Sequence, residues 1–166
     1  EPTMQPDFLE SLLLACKEKE IHSTVDTTGF VEPQVLRRIA EHTDLFLYDL
    51  KIMDDRKHRK FTGASNELIL QNLKDLSSDS RNVIVRFPLI PGINDDEENV
   101  AAIAEFVSSL DVNALEVLPY HKTGSNKYPC LERIYRLPET QPPSDEMVAA
   151  IKSRIESAGV ALAVGG

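Results

Sequence analysis

Charged and aromatic side chains stand at the ends of four apolar runs of the chain. The first run ends near Asp26, and the second ends in Asp49 and Lys51, which are separated by one residue. The third carries Arg86 ahead of a Pro-Gly pair, and the fourth ends in His121. Two carboxylates, an ammonium, a guanidinium and an imidazole can together bind a ligand that carries charges of both signs.

The apolar runs that end in these residues are typical of buried β-strands, and amphipathic helical patterns separate them. The predicted strands cover residues 21–29, 45–51, 82–92, 114–121 and, as a last short strand, 160–164. Strands that alternate with helices and show little polar alternation indicate a parallel α/β sheet covered by helices. Because ligands bind at the carboxyl ends of such strands, the polar residues predict a ligand site at that rim.

The helices between the strands have recognisable first residues. A proline is tolerated in a first turn, and serine, asparagine and aspartate cap a helix through their side-chain oxygens. The predicted starts are Pro6, Ser65, Asn94 or Asp95, and Ser144. The basic run from Arg56 to Lys60 follows two aspartates and is predicted to be a solvated helix face.

The second strand, in "DLFLYDLK", raises the question of which face it buries. Alternation along a strand places Leu45, Leu47, Asp49 and Lys51 on one face. We expect alanine at Leu45, or at Ile84 of the next strand, mainly to lower stability, by about 2–5 kcal/mol if the side chain is fully buried.

Composition limits the class of protein. The chain has 166 residues with 42% hydrophobic content, enough for one domain over residues 1–166 but short of a complete eightfold barrel, which takes about 250 residues. The net charge of -9 and the lack of a basic stripe argue against a nucleic-acid partner. No apolar stretch is long enough for a membrane span. The two cysteines, Cys16 and Cys130, are compatible with a reducing cytosol.

The residues alone leave the ligand open. A zwitterion, a metal-phosphate pair and a sugar acid all suit the charges at the rim. Lys51 is also a candidate Schiff-base nucleophile of an aldolase or lyase. A third alternative is a non-catalytic module that binds a partner protein through the long loop 122–143. Glu116 falls in mid-strand, where it either pairs with a cation inside a barrel or faces outward between helices.

Five segments narrow these alternatives: "VDTTGF", "DLFLYDLK", "FTGASNELILQNL", "VIVRFPLIPGIND" and "EVLPYH". Their order and spacing resemble the glycyl-radical-enzyme activating enzymes, which are radical S-adenosylmethionine enzymes. The resemblance covers nearly the whole chain. It implies a partial (β/α)6 barrel with S-adenosylmethionine and a [4Fe–4S] cluster, which generates a radical on a glycine of a partner such as pyruvate formate-lyase. It also implies an electron donor such as flavodoxin or ferredoxin, and a cytoplasmic location.

The resemblance further implies roles for individual residues of this sequence. The cofactor-binding residues that it implies are Glu1, Asp49, Leu50, Lys51 and His121. The residues of an implied monovalent-cation site are Asp26, Thr27, Asp49 and, through its carbonyl, Leu47. Arg86 is implied to lie near the glycine loop of the partner enzyme.

One feature of the family is missing from this sequence. The family binds its cluster through three cysteines in the pattern C-x3-C-x2-C, which Cys16 and Cys130 cannot supply. We therefore expect the chain to be the C-terminal part of the partial barrel, without its first strands and inactive by itself. We also expect the strand edge at Ser23–Asp26 to be covered by a second chain or by a folded terminus, since open edges promote pairing.

Overall fold

The computed structural model describes residues 1–125 and 127–163. The strands are β1 (Thr24–Thr27), β2 (Leu45–Asp49), β3 (Val83–Leu89) and β4 (Ala114–Pro119). The helices are α1 (Pro6–Glu18), α2 (Pro33–Ala40), α3 (Asp55–Thr62), α4 (Glu67–Ser78), α5 (Glu97–Ser108), α6 (Lys127–Cys130) and α7 (Asp145–Ser157). Short 3-10 turns lie at Pro2–Met4 and Lys122–Gly124.

The strands form one parallel sheet in the order β1-β2-β3-β4, which confirms the α/β prediction. The register places Asp26 of β1 beside Leu47 of β2. It also places Asp49 beside Arg86 of β3, and Arg86 beside Glu116 of β4. Polar residues from three neighbouring strands thus form one row across the sheet.

One face of the sheet is fully covered by the helices. Buried strand residues on this face meet buried apolar residues of α2, α4, α5 and α7. The strand residues are Val25, Phe46, Tyr48, Val83, Val85, Phe87, Leu89, Leu115 and Val117. This single core is the main source of stability, because burial of apolar surface is the dominant favourable term in folding.

The opposite face of the sheet, which we call the open face, is only half-buried among the described residues. It carries Leu45, Leu47, Asp49, Ile84, Arg86, Glu116 and Leu118. Leu45 and Ile84 are only half-buried, so the condition of full burial on their predicted 2–5 kcal/mol is not met among the described residues. Both faces of these strands are apolar, so periodicity separated the two faces without showing which one the helices cover. Glu116 lies on the open face, beside Arg86, and not between the helices.

The ends of the elements differ from the sequence-based boundaries in several places. Pro6 begins α1, and the Ser144 hydroxyl caps α7 by accepting from the Met147 amide at 3.2 Å, as predicted. The α5 cap is Asp96, so the assignment to Asn94 or Asp95 is wrong. Ser65 precedes the first residue of α4 by two positions, yet its Oγ still accepts from the Glu67 amide at 3.3 Å.

The predicted last strand is reduced to a single parallel bridge between Leu162 and Leu115. Val164, at the end of that prediction, lies outside the described residues. At the other side of the sheet β1 is an edge strand, and the turn Pro2–Met4 packs against it. The hydrogen bonds of Glu1 reach the end of this strand at Thr27 and Thr28, and the covering of the edge at Ser23–Asp26 stays a prediction.

The helices of the described part are short. The longest, α1 and α7, have 13 residues each, and both bury one side on neighbouring elements. None of the helices described is long and apolar enough to cross a membrane.

Candidate functional site

Arg86 connects the carboxyl ends of the first three strands. Its Nη2 and Nε donate to Oδ1 of Asp49 at 2.9 and 3.1 Å, and Nη2 also donates to Oδ1 of Asp26. The side chains of Arg86 and Asp49 are 16% and 18% exposed, so this pair is largely removed from water. Burial opposes the charge, but Asp49 and then Asp26 outweigh it and raise the pKa of the Arg86 guanidinium.

Asp49 also contacts the second cation of the rim. Its Oδ2 lies 3.2 Å from Nζ of Lys51, whereas its Oδ1 accepts from Arg86. Each oxygen of one carboxylate therefore faces a different cation, which holds the ammonium and the guanidinium at fixed directions. The prediction that Asp49 and Lys51 lie together at the rim is consistent with this geometry.

Glu1 is held against the end of β1 by three threonines. Its Oε1 accepts from the hydroxyls of Thr3 and Thr27, each at 2.7 Å. Its Oε2 accepts from the amide and the hydroxyl of Thr28, at 3.0 and 2.7 Å. These four bonds fill the acceptor positions of a carboxylate, so the Glu1 side chain acts as an anchor for the first turn. A ligand ammonium beside it has to bind through the backbone or displace a threonine.

The same bonds change the acidity of Glu1. Burial raises its pKa, but hydrogen bonds from the backbone and side chain of Thr28, and then from Thr3 and Thr27, outweigh burial and lower the pKa to about 2. A folded-state pKa below the ordinary value of 4.5 gives stability that is present above that value. The stability is then lost as the pH falls through the folded-state pKa.

We therefore expect the substitution Glu1→Gln to lower stability near neutral pH and to flatten its decline in acid. The glutamine amide cannot accept all four hydrogen bonds, and it has no charge to lose. The measurement is the free energy of unfolding in urea at several pH values between 7 and 2.5. Glu105→Gln, at an exposed position of α5, is the matched control. Identical acid profiles for Glu1→Gln and the unchanged chain would contradict the assignment.

The residues of the implied cation site are close together but face in different directions. Asp26 and Asp49 both bond the Arg86 guanidinium, so their carboxylates reach one point. Thr27 is buried on the helix side, where its Oγ1 donates to Glu1 and accepts from the Gly29 amide at 3.0 Å. No group of three or more His, Cys, Asp or Glu side chains within the described residues is arranged to hold a metal ion. The cation between the two carboxylates in this structure is Arg86 itself.

Two further predicted residues take different positions at the rim. Leu50 is buried in the core, and its amide donates to the Arg86 carbonyl at 2.9 Å, so only its backbone can reach a ligand. His121 is exposed just after β4, where it precedes the turn Lys122–Gly124. It makes no hydrogen bond with the other rim residues in the described part of the chain.

A cavity of about 190 Å³ opens beside Asp49 and Lys51. Its walls combine polar and apolar groups from the ends of β1 and β2 and from α3 and α4. His58 of α3 lines it, although the run Arg56–Lys60 was predicted to be a solvated face. Its side chain is buried, and the Ala64 carbonyl, 2.7 Å from Nδ1, pairs that ring nitrogen. In the sequence, the sign that His58 could be buried is that it is the one histidine among the lysines and arginines of this run.

The residues present meet the requirements of one implied cofactor and not those of the other. Acids and cations at one rim suit a ligand with a carboxylate, an ammonium and a sulfonium, so they fit S-adenosylmethionine. The cysteines do not fit a cluster held by three thiolates, because the chain contains only Cys16, half-buried on α1, and Cys130, exposed on α6. No chemical step is therefore assigned to a cluster on these residues.

Comparisons with known proteins identify the family. A model of the radical SAM superfamily matches residues 1–104. The trans-4-hydroxy-L-proline dehydratase activating enzyme of Clostridioides difficile is 42% identical over 162 residues, which cover 96% of this chain and 54% of that protein. The pyruvate formate-lyase-activating enzyme of Staphylococcus epidermidis is 41% identical over 155 residues, covering 89% and 62% respectively. This chain thus spans a little over half of each relative.

A solved structure gives the same result for the fold. A domain of pyruvate-formate lyase-activating enzyme from Bacteroides vulgatus superposes with a TM-score of 0.84 and 32% identity, covering 100% of this chain and 94% of that one. The match confirms the predicted radical SAM type of α/β fold, and nothing found supports the aldolase alternative. The chain belongs to the radical SAM superfamily, and the relatives named above are activating enzymes of that superfamily.

Proposed function

We propose that the protein containing this chain activates a glycyl radical enzyme, and that this chain provides much of the site for S-adenosylmethionine. The observation that carries the proposal is the rim, where the side chains of Asp26, Asp49, Lys51 and Arg86 contact one another. The relatives of this chain are activating enzymes. When bound, S-adenosylmethionine and the [4Fe–4S] cluster of the family supply the one-electron chemistry that removes a hydrogen atom from a glycine of the partner.

The charges of the rim suit the cofactor. In the proposed site, Lys51 binds the cofactor carboxylate, and the carboxylates of Asp49 and Asp26 attract the cofactor ammonium. The Leu50 backbone and the His121 ring complete the proposed contacts, and Glu1 keeps the first turn in place. A monovalent cation held by Asp26, Thr27, Asp49 and the carbonyl of Leu47 remains part of the proposal. It requires the Arg86 guanidinium to move, since that group now lies between the carboxylates.

Arg86 is the group proposed to meet the partner. It lies on the open face, and its Nη1 makes no bond in the described part of the chain, whereas Nε and Nη2 bind aspartates. A guanidinium has five N–H donors in a rigid plane. In the arrangement without the cation, the two on Nη1 are therefore available for backbone carbonyls of a glycine loop, while Asp26 and Asp49 hold the guanidinium plane in place.

The electron source and the compartment belong to the proposal as well. The whole protein needs a low-potential one-electron donor, and a flavodoxin or a ferredoxin is the class that fits. A reducing cytoplasm suits a chain with two thiols, Cys16 and Cys130.

The test uses the complete protein, reconstituted anaerobically with iron and sulfide. It is incubated with S-adenosylmethionine, a reductant and each of three partners: a formate lyase, a hydroxyproline dehydratase and an indoleacetate decarboxylase, whose activating enzymes are relatives of this chain. We expect 5′-deoxyadenosine and a glycyl radical signal in electron paramagnetic resonance with one partner. Absence of both products with every partner, or a borohydride-trapped adduct on Lys51, would overturn the proposal.

We expect Lys51→Ala to raise the S-adenosylmethionine concentration required for half-maximal activity by about tenfold, the loss of one charge-assisted hydrogen bond. Folding should change little, because Lys51 lies at a strand end with 32% of its side chain exposed, and its loss leaves no core cavity. Activity is measured against cofactor concentration, and stability by thermal unfolding. Lys60→Ala, exposed on α3, is the control. An unchanged cofactor requirement would remove Lys51 from the site.

A further inference from the structure

Three buried asparagines surround the segment that carries Lys51. Asn66, Asn94 and Asn99 are 3%, 1% and 5% exposed. They come from three separate places in the fold: the start of α4, the turn after β3 and the first turn of α5. Fully buried polar side chains are uncommon unless they are paired, so the partners of these amides are informative.

The carbonyl of Lys51 receives two of these amides. Nδ2 of Asn94 donates to it at 3.0 Å, and Nδ2 of Asn99 donates to it at 3.4 Å. Oδ1 of Asn99 accepts from the amide of Met53 at 2.9 Å. On the other side, Nδ2 of Asn66 donates to the carbonyls of Ile52 and Met53, at 3.0 and 2.7 Å.

Asn94 and Asn99 are themselves tied to each other and to the end of β3. Oδ1 of Asn94 accepts from the Ile90 amide at 2.7 Å, and its Nδ2 also donates to the Pro88 carbonyl at 2.7 Å. Nδ2 of Asn99 donates to the Asn94 carbonyl at 2.9 Å. The position of the Lys51 carbonyl is thereby coupled to the exit of the strand that carries Arg86.

Elementary physics explains why polar side chains are buried here. The segment after β2 leaves the sheet, while Leu50 and Ile52 are 1% and 2% exposed. Its backbone groups no longer have neighbours in the sheet, and between these two buried side chains they are partly or fully removed from water, where an unpaired polar group is costly. An asparagine amide offers donors and an acceptor, so it can pair with both kinds of backbone group.

We propose that Asn94 and Asn99 are positioning residues for Lys51. The long, flexible lysine stem has many rotamers, so the direction of its ammonium depends on a fixed Cα and on the contact with Asp49. The two donors on the Lys51 carbonyl fix the position of its Cα. The ion pair with Asp49 at 3.2 Å fixes the direction of its ammonium. The inference rests on the proposed function, in which Lys51 binds the cofactor carboxylate.

The test is a double-mutant cycle on the complete, cluster-loaded protein, with the dissociation constant for S-adenosylmethionine and the thermal midpoint as readouts. We expect Asn99→Ala to raise the dissociation constant about tenfold when Lys51 is present. In the Lys51→Ala background the same change should alter it less than about twofold, although the thermal midpoint falls in both backgrounds. A purely structural role would lower the midpoint without this dependence on Lys51.

Asn113→Ala is the matched control, since Oδ1 of Asn113 accepts from the Val83 amide at 2.7 Å at the opposite end of the sheet. It should lower the thermal midpoint and leave cofactor binding unchanged. If Asn99→Ala does not fold, Asn99→Ser and Asn94→Ser replace it, with hydrogen exchange of the Met53 amide as a further readout.

Unchanged binding in Lys51→Ala overturns the proposed role of Lys51 itself. Weaker binding in Lys51→Ala, with unchanged or additive effects of the asparagine variants, overturns only the positioning role.

Discussion

Replacement of Arg86 by methionine is expected to lower the rate of glycyl radical formation by about 100-fold, because truncating one partner of a desolvated ion pair typically costs 2–5 kcal/mol. Methionine keeps most of the volume of the arginine stem, so the change removes charge and donors without a large cavity. Asp49 and Asp26 then lose the cation between them, and a glycine loop on the open face loses its donors.

Arg86→Met is also expected to lower the stability of the protein. Asp49 is 18% exposed, and without Arg86 the one charged partner it keeps among the described residues is Lys51 at 3.2 Å. A buried acceptor left without its partner typically costs about 1–3 kcal/mol. The free energy of unfolding should therefore fall by an amount of this order, which is measured in urea on the same preparation.

Two variants separate the causes. Arg86→Lys retains a positive charge but lacks the planar fork, so its rate should fall between those of the unchanged protein and Arg86→Met. Arg154→Met removes an exposed arginine that pairs with Glu97 at 2.5 Å on the far side of the sheet, and should leave the rate unchanged. A normal rate of radical formation in Arg86→Met would show that the open face is not where the partner's glycine is presented.

The rim was the part of the site that could be predicted from sequence. A side-chain period of two places Asp49 and Lys51 on one face, and parallel strands bring their carboxyl ends to one edge. These two rules apply locally and need no knowledge of packing, so they indicated the convergence of Asp26, Asp49 and Arg86. The observed bonds from Arg86 to both aspartates follow from the register of three strands, which periodicity does not specify.

The buried asparagines could not be predicted in this way. Asn66, Asn94 and Asn99 bond the backbone of an irregular segment that is 13 to 48 residues away in sequence, and no sequence pattern marks such a partner. From sequence, Asn94 was a candidate helix cap, because caps and buried backbone ligands use the same residue types. Asp96 takes the cap, which leaves the Asn94 amide for the Lys51 carbonyl.

The covered face of the sheet was the other feature that sequence left undecided. Leu45 and Ile84 are as apolar as Phe46 and Val85, their neighbours on the opposite face. In an α/β barrel both faces are apolar, because one packs on helices and the other lines the interior. Only the positions of the helices distinguish the two sets, and the helices of this chain cover the face of Phe46 and Val85.

A matched pair of leucines in β4 tests this assignment. Leu115 and Leu118 differ by three positions and so lie on opposite faces. Leu115 is 0% exposed in the helix-covered core, and Leu118 is half-buried on the open face. We expect Leu115→Ala to lower the free energy of unfolding by about 2–5 kcal/mol, because it removes fully buried methyl groups and leaves a cavity.

Leu118→Ala removes the same atoms but should cost roughly 1 kcal/mol, since much of that side chain already meets water and no closed cavity forms. The backbone bonds of Leu115 with Ala161 and Ala163, at 2.8 and 2.9 Å, do not involve the side chain and persist in the variant. The comparison uses urea unfolding of both variants at one pH with equal m-values, so that a change in the denatured state is recognised. Equal losses at the two positions, or a larger loss at Leu118, would mean that the open face is packed as tightly as the helix-covered one.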